Sequence, residues 1–404
     1  MNFIDGGVCA PKGYKANGVH CGIRKNKQKK DLALIFSEKK AAAAAIYTQN
    51  SVKGAPIIVT QKNLLIPYAN AIICNSGNAN TCNANGIEIA GGICALTAKE
   101  LGILPSDVII ASTGVIGQPL YIEPFESGIP ALAEGLSETG SDAAAEAIMT
   151  TDTVKKELAV SFTIGGKVCK IGGIAKGSGM IHPNMATMLV FLTTDTAISP
   201  IMLQKALKED ADGSFNMISI DKDTSTNDMV CILANGLAGN PAIETEGTEY
   251  IEFKKALCAV TQKLCKSIAK DGEGAAKLIE CEVTNAGSLK DARAVAKSVI
   301  SSNLVKSAMF GSDANWGRVL CAVGYSGVNV DTEKIDVSFC SSKGEIMVCN
   351  NGFGIEFSEQ RAKEILLCDE IKIMINLNAG SDKATAWGCD LTYDYVKING
   401  DYRT

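Results

Sequence analysis
The chain has 404 residues, 46% of them hydrophobic and 21% charged, which is apolar material for two domains or for one large layered domain with a smaller lobe. Its formal net charge of −5 gives no electrostatic basis for binding nucleic acid or an anionic membrane surface, and no apolar run approaches the ~20 residues of a membrane span. Fifteen cysteines without a CxxC pair read as buried, reduced thiols of a cytoplasmic protein rather than as a disulfide framework.

The opening "MNFIDGGVCAPKGYKANG" lacks a charged start followed by an apolar stretch, so no signal peptide is expected. "EKKAAAAAIYTQN" is ambiguous: five alanines suggest helix, while "AIYT" and the following "APIIVT" suggest strands. "YANAIICNSGNANTCNANG" reads as a strand ending near Cys74 and then an Asn/Gly loop. Gly86 to Leu101 reads as a helix stopped by Gly102, and "DVIIASTGVIG" as a strand running into a glycine turn. "ELAVSFTIGGKVCKIGGIAKG" alternates around Gly165-Gly166, a hairpin signal.

A buried strand, Met188 to Leu192, follows a loop of glycine, proline and asparagine. Ser199 can then cap a helix with Pro200 in its first turn. Tyr250 to Lys270 aligns Phe253, Leu257, Val260, Leu264 and Ile268 on one helical face. "KLIECEV" reads as a strand and Lys290 to Ala308 as a helix. The last hundred residues look strand-rich in "KIDVSFC", "EIMVCN", "EIKIMINLN" and "CDLTYDYVKI", which suggests a smaller lobe from about residue 285.

Several motifs fail. "DGEGAAK" lacks the third glycine of a dinucleotide fingerprint, and "GGKV" lacks the rest of a phosphate-binding loop. "DKDTSTND" has Thr226 where a calcium loop needs glycine and Ile232 where it needs glutamate, so it reads as a polar turn. With only His20 and His182 available, a multi-histidine zinc site is nearly excluded, and a histidine-based triad has few candidates for its base.

The loop "AKGSGMIHPNMAT" before the buried strand offers another chemistry. A threonine hydroxyl needs a neighbouring base, and an N-terminal threonine carries one as its own α-amino group. Cutting the Ala186–Thr187 bond would create that amine without histidine. Ala186 is small, Gly177 and Gly179 permit unusual backbone shapes near a developing oxyanion, and Pro183 and Asn184 favour a sharp turn.

The string "KGSGMIHPNMATMLVFLTTD" closely resembles the self-cleaving segment of the ornithine acetyltransferase family of arginine biosynthesis. "GGVCAPKGYKANG", "NSGNANTCNANG", "ASTGVIG", "IMTTDT", "AKDGEGAAK", "GSDANWGR" and the terminal "YVKINGDYRT" agree in order, so the resemblance spans essentially the whole chain. It implies cleavage into 1–186 and 187–404, with Thr187 as the nucleophile that carries acetyl. It implies an oxyanion hole at Thr113 and Gly114, and substrate contacts from Thr150, Lys176, Thr187, Glu273, Asn399 and Thr404.

The implied fold is an α/β sandwich of the N-terminal-nucleophile-like type, built from both chains, with a smaller α/β C-terminal lobe. The implied reaction is ping-pong. N-acetylornithine acetylates Thr187 and leaves as ornithine, and glutamate then takes the acetyl group as N-acetylglutamate. No metal or cofactor is implied, and acetyl-CoA serves as a second donor in some family members. The implied assembly is a heterotetramer of two chains of each kind. Two other readings are a self-cleaving threonine aminopeptidase or amidase of related fold, and a metabolite-binding protein in which "NMATM" merely starts a strand.

Overall fold
The computed structural model describes residues 1–182 and 188–401. The expected turn at Pro183–Asn184, the Ala186–Thr187 bond and Thr404 lie outside them.

The first part of the chain forms β1 (Asn2–Ile4), β2 (Tyr14–Val19), β3 (Leu32–Tyr47), α1 (Ala55–Asn63), β4 (Tyr68–Asn75), α2 (Gly86–Leu101), β5 (Val108–Ser112), α3 (Glu123–Glu134), α4 (Ser141–Ile148), β6 (Lys156–Ile164) and β7 (Lys167–Lys176). Next come β8 (Leu189–Thr194), α5 (Pro200–Ala211), β9 (Ile218–Ser219), β10 (Met229–Ala234), α6 (Thr248–Lys270), β11 (Leu278–Ala286), α7 (Leu289–Ser301), α8 (Asn303–Phe310) and α9 (Trp316–Gly324). The chain continues through β12 (Asp336–Ser341), β13 (Gly344–Asn350), β14 (Phe353–Gly354), α10 (Glu359–Leu366), β15 (Glu370–Asn376), β16 (Asp382–Cys389) and α11 (Tyr393–Asp401).

Two sheets result. The first has the order β1-β6-β7-β8-β10-β3-β4-β5, with β2 on β3, and the second β14-β13-β12-β15-β11-β16-β9. Helix α6 packs on β6 and β7 of the first sheet and on β11 and β16 of the second. Its Phe253, Leu257, Val260 and Leu264 are buried in one core with side chains from both sheets. The α/β class expected from the sequence is therefore observed. Residue 285 lies inside β11, within the second sheet.

Local chemistry explains most elements. Gly165 and Gly166 adopt φ of +54° and +75°, the left-handed pair that a two-residue hairpin needs, between β6 and β7. Ser199 caps α5 by accepting from the Met202 N–H, and Gly102 ends α2 at φ +66°. Ala41 to Ala45 all belong to β3, where β10 and β4 flank them and α4 and α5 pack against the strand. Small side chains there let helices approach the sheet, and this packing overrides the helical preference of alanine.

Three expectations are corrected. "APIIVT" is the start of α1, not a strand. Pro56 sits in its first turn, and Thr60 Oγ1 donates to the Ile110 carbonyl while accepting from the Ile110 N–H, which fastens the helix to β5. Lys290 to Ala308 is not one helix: Ser302 adopts an extended conformation and caps α8 through the Val305 N–H. The terminal "YVKI" belongs to α11 rather than to a strand, so the described residues end on a helix beside the Gly274 loop, where Thr392 Oγ1 donates to the Gly274 carbonyl.

Nine of the fifteen cysteines are buried and all are free thiols. Burial pushes the Cys9 thiol up to about 11. Among the described residues, no helix is long and apolar enough to cross a membrane.

The path of β7 toward Lys176 depends on Gly172. A Cβ there would lie 1.8 Å from the Gly7 carbonyl oxygen, a backbone atom. Gly172→Ala is expected to cost about 1–3 kcal/mol through overpacking, seen as a lowered midpoint of thermal unfolding. An unchanged midpoint would contradict this close approach.

Candidate active site
One cleft gathers residues from distant parts of the chain. It is lined by Thr113 and Gly114 after β5, Thr150 and Thr151 after α4, Lys176 ending β7, Met188 and Leu189 at the start of β8, Ser225 to Asp228 before β10, Glu273 after α6, and Asn399 on α11. The structure thus brings together Thr113, Gly114, Thr150, Lys176, Glu273 and Asn399. Thr187 and Thr404, the other two residues named from the resemblance, lie outside the described residues; Met188, which follows Thr187 in sequence, lines the cleft.

The Thr113-Gly114 turn is built against the loop after β4. The Thr113 N–H donates to the Asn75 carbonyl at 2.9 Å and the Val115 N–H to the Gly77 carbonyl at 3.3 Å. Gly114 has φ +130°, and a Cβ on it would stand 2.3 Å from the Gly77 carbonyl carbon. Only glycine fits this position.

Behind the turn, Asn227 Nδ2 donates to the carbonyls of Ala79 and Ser112, while its Oδ1 accepts from the hydroxyls of Thr81 and Thr226. Ser112 Oγ donates to Asn75 Oδ1 at 2.5 Å. All these side chains are buried, so the network is satisfied internally and holds the turn rigid. "DKDTSTND" is a polar turn as expected, but it also supplies one wall of the cleft.

The opposite wall rests on a buried ionic cluster. Lys156 Nζ donates to Asp152 Oδ1 at 2.7 Å and to Asp271 Oδ2 at 2.5 Å. Asp152 also accepts from the N–H groups of Gly177 at 2.7 Å and Thr150 at 3.0 Å, and Lys176 Nζ lies 3.9 Å from its Oδ2. Asp271 accepts from the Thr153 N–H and hydroxyl. Burial alone would raise the Asp152 carboxyl, but the Lys176 and Lys156 ammonium groups and the Gly177 N–H outweigh it and hold the group well below the usual carboxylate range.

Glu273 is tied into the same wall. Its N–H donates to the Ser178 carbonyl, and Ser178 Oγ donates to the Asp271 carbonyl. A Cβ on Gly179 would lie 2.3 Å from Glu273 Oε2, so glycine lets the loop pass directly over this carboxylate. Asn399 Nδ2 donates to Glu273 Oε2 at 2.7 Å. Tyr395, on the same helix, donates to Asp221 Oδ2 at 3.3 Å. The two Asp221 oxygens also accept from the N–H groups of Met180 and Ile181, which anchors the glycine loop.

Neither histidine is among the described residues that line the cleft. Burial, reinforced by Lys297 and Lys222, lowers the His182 imidazole to about 4, so it is neutral at pH 7. Four side chains of the cleft and its walls went unremarked in the sequence: Asp152, Lys156, Asp271 and Asp228. Asp152 and Asp271 stand inside "IMTTDT" and "AKDGEGAAK", beside Thr150 and Glu273. No local periodicity signals that these two segments meet.

A model of the ArgJ family matches residues 15–404. The chain is 52% identical over 392 residues to the arginine biosynthesis bifunctional protein ArgJ 1 of Clostridium acetobutylicum, covering 97% of this chain and 96% of that protein. It is 49% identical over 403 residues to the arginine biosynthesis bifunctional protein ArgJ of Bacillus subtilis, covering 99% and 97%. Among solved structures it is similar to the arginine biosynthesis bifunctional protein argJ of Bacillus halodurans, with 47% identity and a TM-score of 0.51 over 54% of this chain and 100% of that one.

The depressed Asp152 carboxyl makes stability depend on pH in one direction. Its contribution is complete above the unfolded value of about 3.9 and is lost as pH falls toward the lower folded value. The stability difference between wild type and Asp152→Asn should therefore be full at pH 7 and narrow below about pH 4 in denaturant titrations. A difference that stays constant across this range would show that the charge is not what Asp152 contributes.

Proposed function
This chain belongs to the ArgJ family, and on that premise we propose that its cleft performs acetyl transfer in arginine biosynthesis through a nucleophile that the chain makes by cutting itself. The chain is an acyltransferase acting on small molecules. The observation that carries the residue-level reading is that one cleft unites Thr113, Gly114, Thr150, Lys176, Glu273 and Asn399 with Met188, the residue immediately after Thr187.

In this reading the Thr187 hydroxyl attacks the Ala186 carbonyl, the acyl group moves from nitrogen to oxygen, and water releases chains 1–186 and 187–404. The first sheet holds the pieces together, because β7 of one pairs with β8 of the other from Lys176↔Leu189 to Ile171↔Thr194. The solved Bacillus halodurans chain aligns in full with 54% of this chain, a share equal in size to residues 187–404, as a cut at Ala186–Thr187 would give.

The freed α-amino group then takes the proton of the Thr187 hydroxyl as its oxygen attacks the acetyl carbonyl of N-acetylornithine. The Gly114 N–H and Thr113 hydroxyl meet the developing oxyanion; neither has a partner among the described residues. Ornithine leaves with a proton on its nitrogen. The amine of glutamate attacks acetyl-Thr187 and departs as N-acetylglutamate.

Lys176 and Thr150 hold the α-carboxylate that both substrates carry, and Glu273, oriented by Asn399, meets a cationic amino group. Thr404 completes the substrate contacts. Acetyl-CoA is the candidate second donor in this reading; the relatives' names call them bifunctional without naming a donor. The protein is cytoplasmic and assembles from two chains of each kind.

Mass analysis of purified protein tests the first step. Wild type should yield two chains, the second starting at Thr187. Thr187→Ala should remain one chain without activity. Two-chain maturation of Thr187→Ala at the same bond would refute the assignment.

A further inference from the structure
Glu273 stands on the loop between the end of α6 at Lys270 and the start of β11 at Leu278. A loop side chain recognises a substrate only as sharply as its loop is held. The Glu273 N–H on the Ser178 carbonyl holds one side. The other side is held by a segment that the mechanism above does not use, the connection from β16 to α11.

Asp390 opens that connection, directly after Cys389, which pairs with Leu278 across the strands. Its Oδ1 accepts from the N–H groups of Ala276 at 2.9 Å and Lys277 at 3.0 Å, and its own N–H donates to the Lys277 carbonyl at 3.2 Å. Its Oδ2 is buried with no hydrogen-bond partner among the described residues. The hydrogen bonds of this side chain among the described residues therefore all go to the Glu273 loop. Thr392 Oγ1 adds a bond of 2.7 Å to the Gly274 carbonyl. Gly274 takes φ +68°, and a Cβ on it would stand 2.8 Å from the Asp394 carbonyl carbon, so α11 begins directly against the loop. Asp390 is 3% exposed. A carboxylate at this depth costs free energy, which its bonds to backbone N–H groups offset.

This clasp lies between two residues of the cleft. Glu273 immediately precedes Gly274, and Asn399, on the helix that Thr392 leads into, donates to Glu273 Oε2 at 2.7 Å. The far end of the loop is pinned as well. Lys277 Nζ donates to the carbonyls of Met309 and Leu366 and to Ser312 Oγ, which ties it to α8 and α10. The clasp thus sets both the place of Glu273 and the approach of Asn399 to it.

We propose that Asp390 and Thr392 are positioning residues for substrate recognition, which hold Glu273 where it meets the cationic amino group of N-acetylornithine. The inference rests on the reading of Glu273 as the partner of that group. Neither residue is among those that line the cleft; both act through Glu273. Releasing the clasp weakens the hold on the substrate and leaves the Thr113-Gly114 turn as it is.

The test is a double-mutant cycle on variants whose chain masses match those of wild type. Glu273→Gln alone should raise KM for N-acetylornithine. An unchanged KM would defeat the reading of Glu273 itself and is recognised before Asp390 is examined. Asp390→Ala should raise the same KM about tenfold, the size of one weakened hydrogen bond to a charged group, with kcat within about twofold. Asp390→Asn, which keeps an acceptor for the two N–H groups, should restore most of the loss. In the Glu273→Gln background, Asp390→Ala should add no further rise. An equal rise in both backgrounds, a fall in kcat at unchanged KM, or an Asn variant as poor as the Ala variant would overturn the proposal. If Asp390→Ala does not fold or mature, Thr392→Val carries the cycle, since it keeps the shape and removes the hydroxyl. Its KM should rise by about threefold and only where Glu273 is present; no rise, or the same rise in both backgrounds, would overturn the proposal.

Discussion
The arrangement depends on one buried lysine. Lys156 bridges Asp152 and Asp271, residues more than a hundred positions apart, and every donor on its ammonium faces a carboxylate or carbonyl oxygen. Taking three charges out of water is costly, and such a cluster is worth keeping only if its remaining valences are filled. Here they are filled by the backbone that builds the cleft: the N–H groups of Thr150 and Gly177 on Asp152, and that of Thr153 on Asp271. From Asp271 the chain of bonds runs on through Ser178 to the backbone of Glu273. Thr150, Lys176 and Glu273 are thus held by one ionic centre beneath them. Breaking such a centre by removing one partner typically costs about 3–5 kcal/mol.

The facing wall achieves rigidity without charge. Asn227 and its hydroxyl partners satisfy one another behind the Thr113-Gly114 turn. Between the walls, β8 begins at Leu189, flanked by antiparallel β7 and parallel β10. A strand paired on both sides, with the Met229 N–H on the Met188 carbonyl, fixes Met188 just before it. This suits a nucleophile that must meet a preformed oxyanion site, since catalytic power of this type comes from donors that need no rearrangement during reaction. A chain poor in histidine, whose His182 is held neutral and off the cleft, fits a base drawn from the backbone itself.

Much of this was legible in sequence where local chemistry decides. Gly165-Gly166 demanded a hairpin, Ser199-Pro200 began a helix, and Gly102 ended one. Local reading failed where tertiary contacts decide. The β-branched residues of "APIIVT" and "YVKI" favour strands, yet Thr60 fastens α1 to β5, and Asn399 and Tyr395 fasten α11 to Glu273 and Asp221. The resemblance to a known family named residues that the cleft then united, but it did not point to what holds them. Lys156 stands in sequence as one more charge just before the alternating stretch, and its burial appears only when Asp271 arrives from the far end of α6. Asp228 likewise sits in a turn that sequence could describe only as polar.

The central claim is that acetyl passes through Thr187 as a covalent intermediate. It is tested most directly by incubating the mature protein with N-acetylornithine alone, quenching rapidly, and mapping peptides by mass. The account predicts one acetyl group on the N-terminal threonine of the second chain, released as N-acetylglutamate when glutamate is added. Acetyl found on another residue, or no acetyl-enzyme while transfer still proceeds with both substrates present, would contradict it.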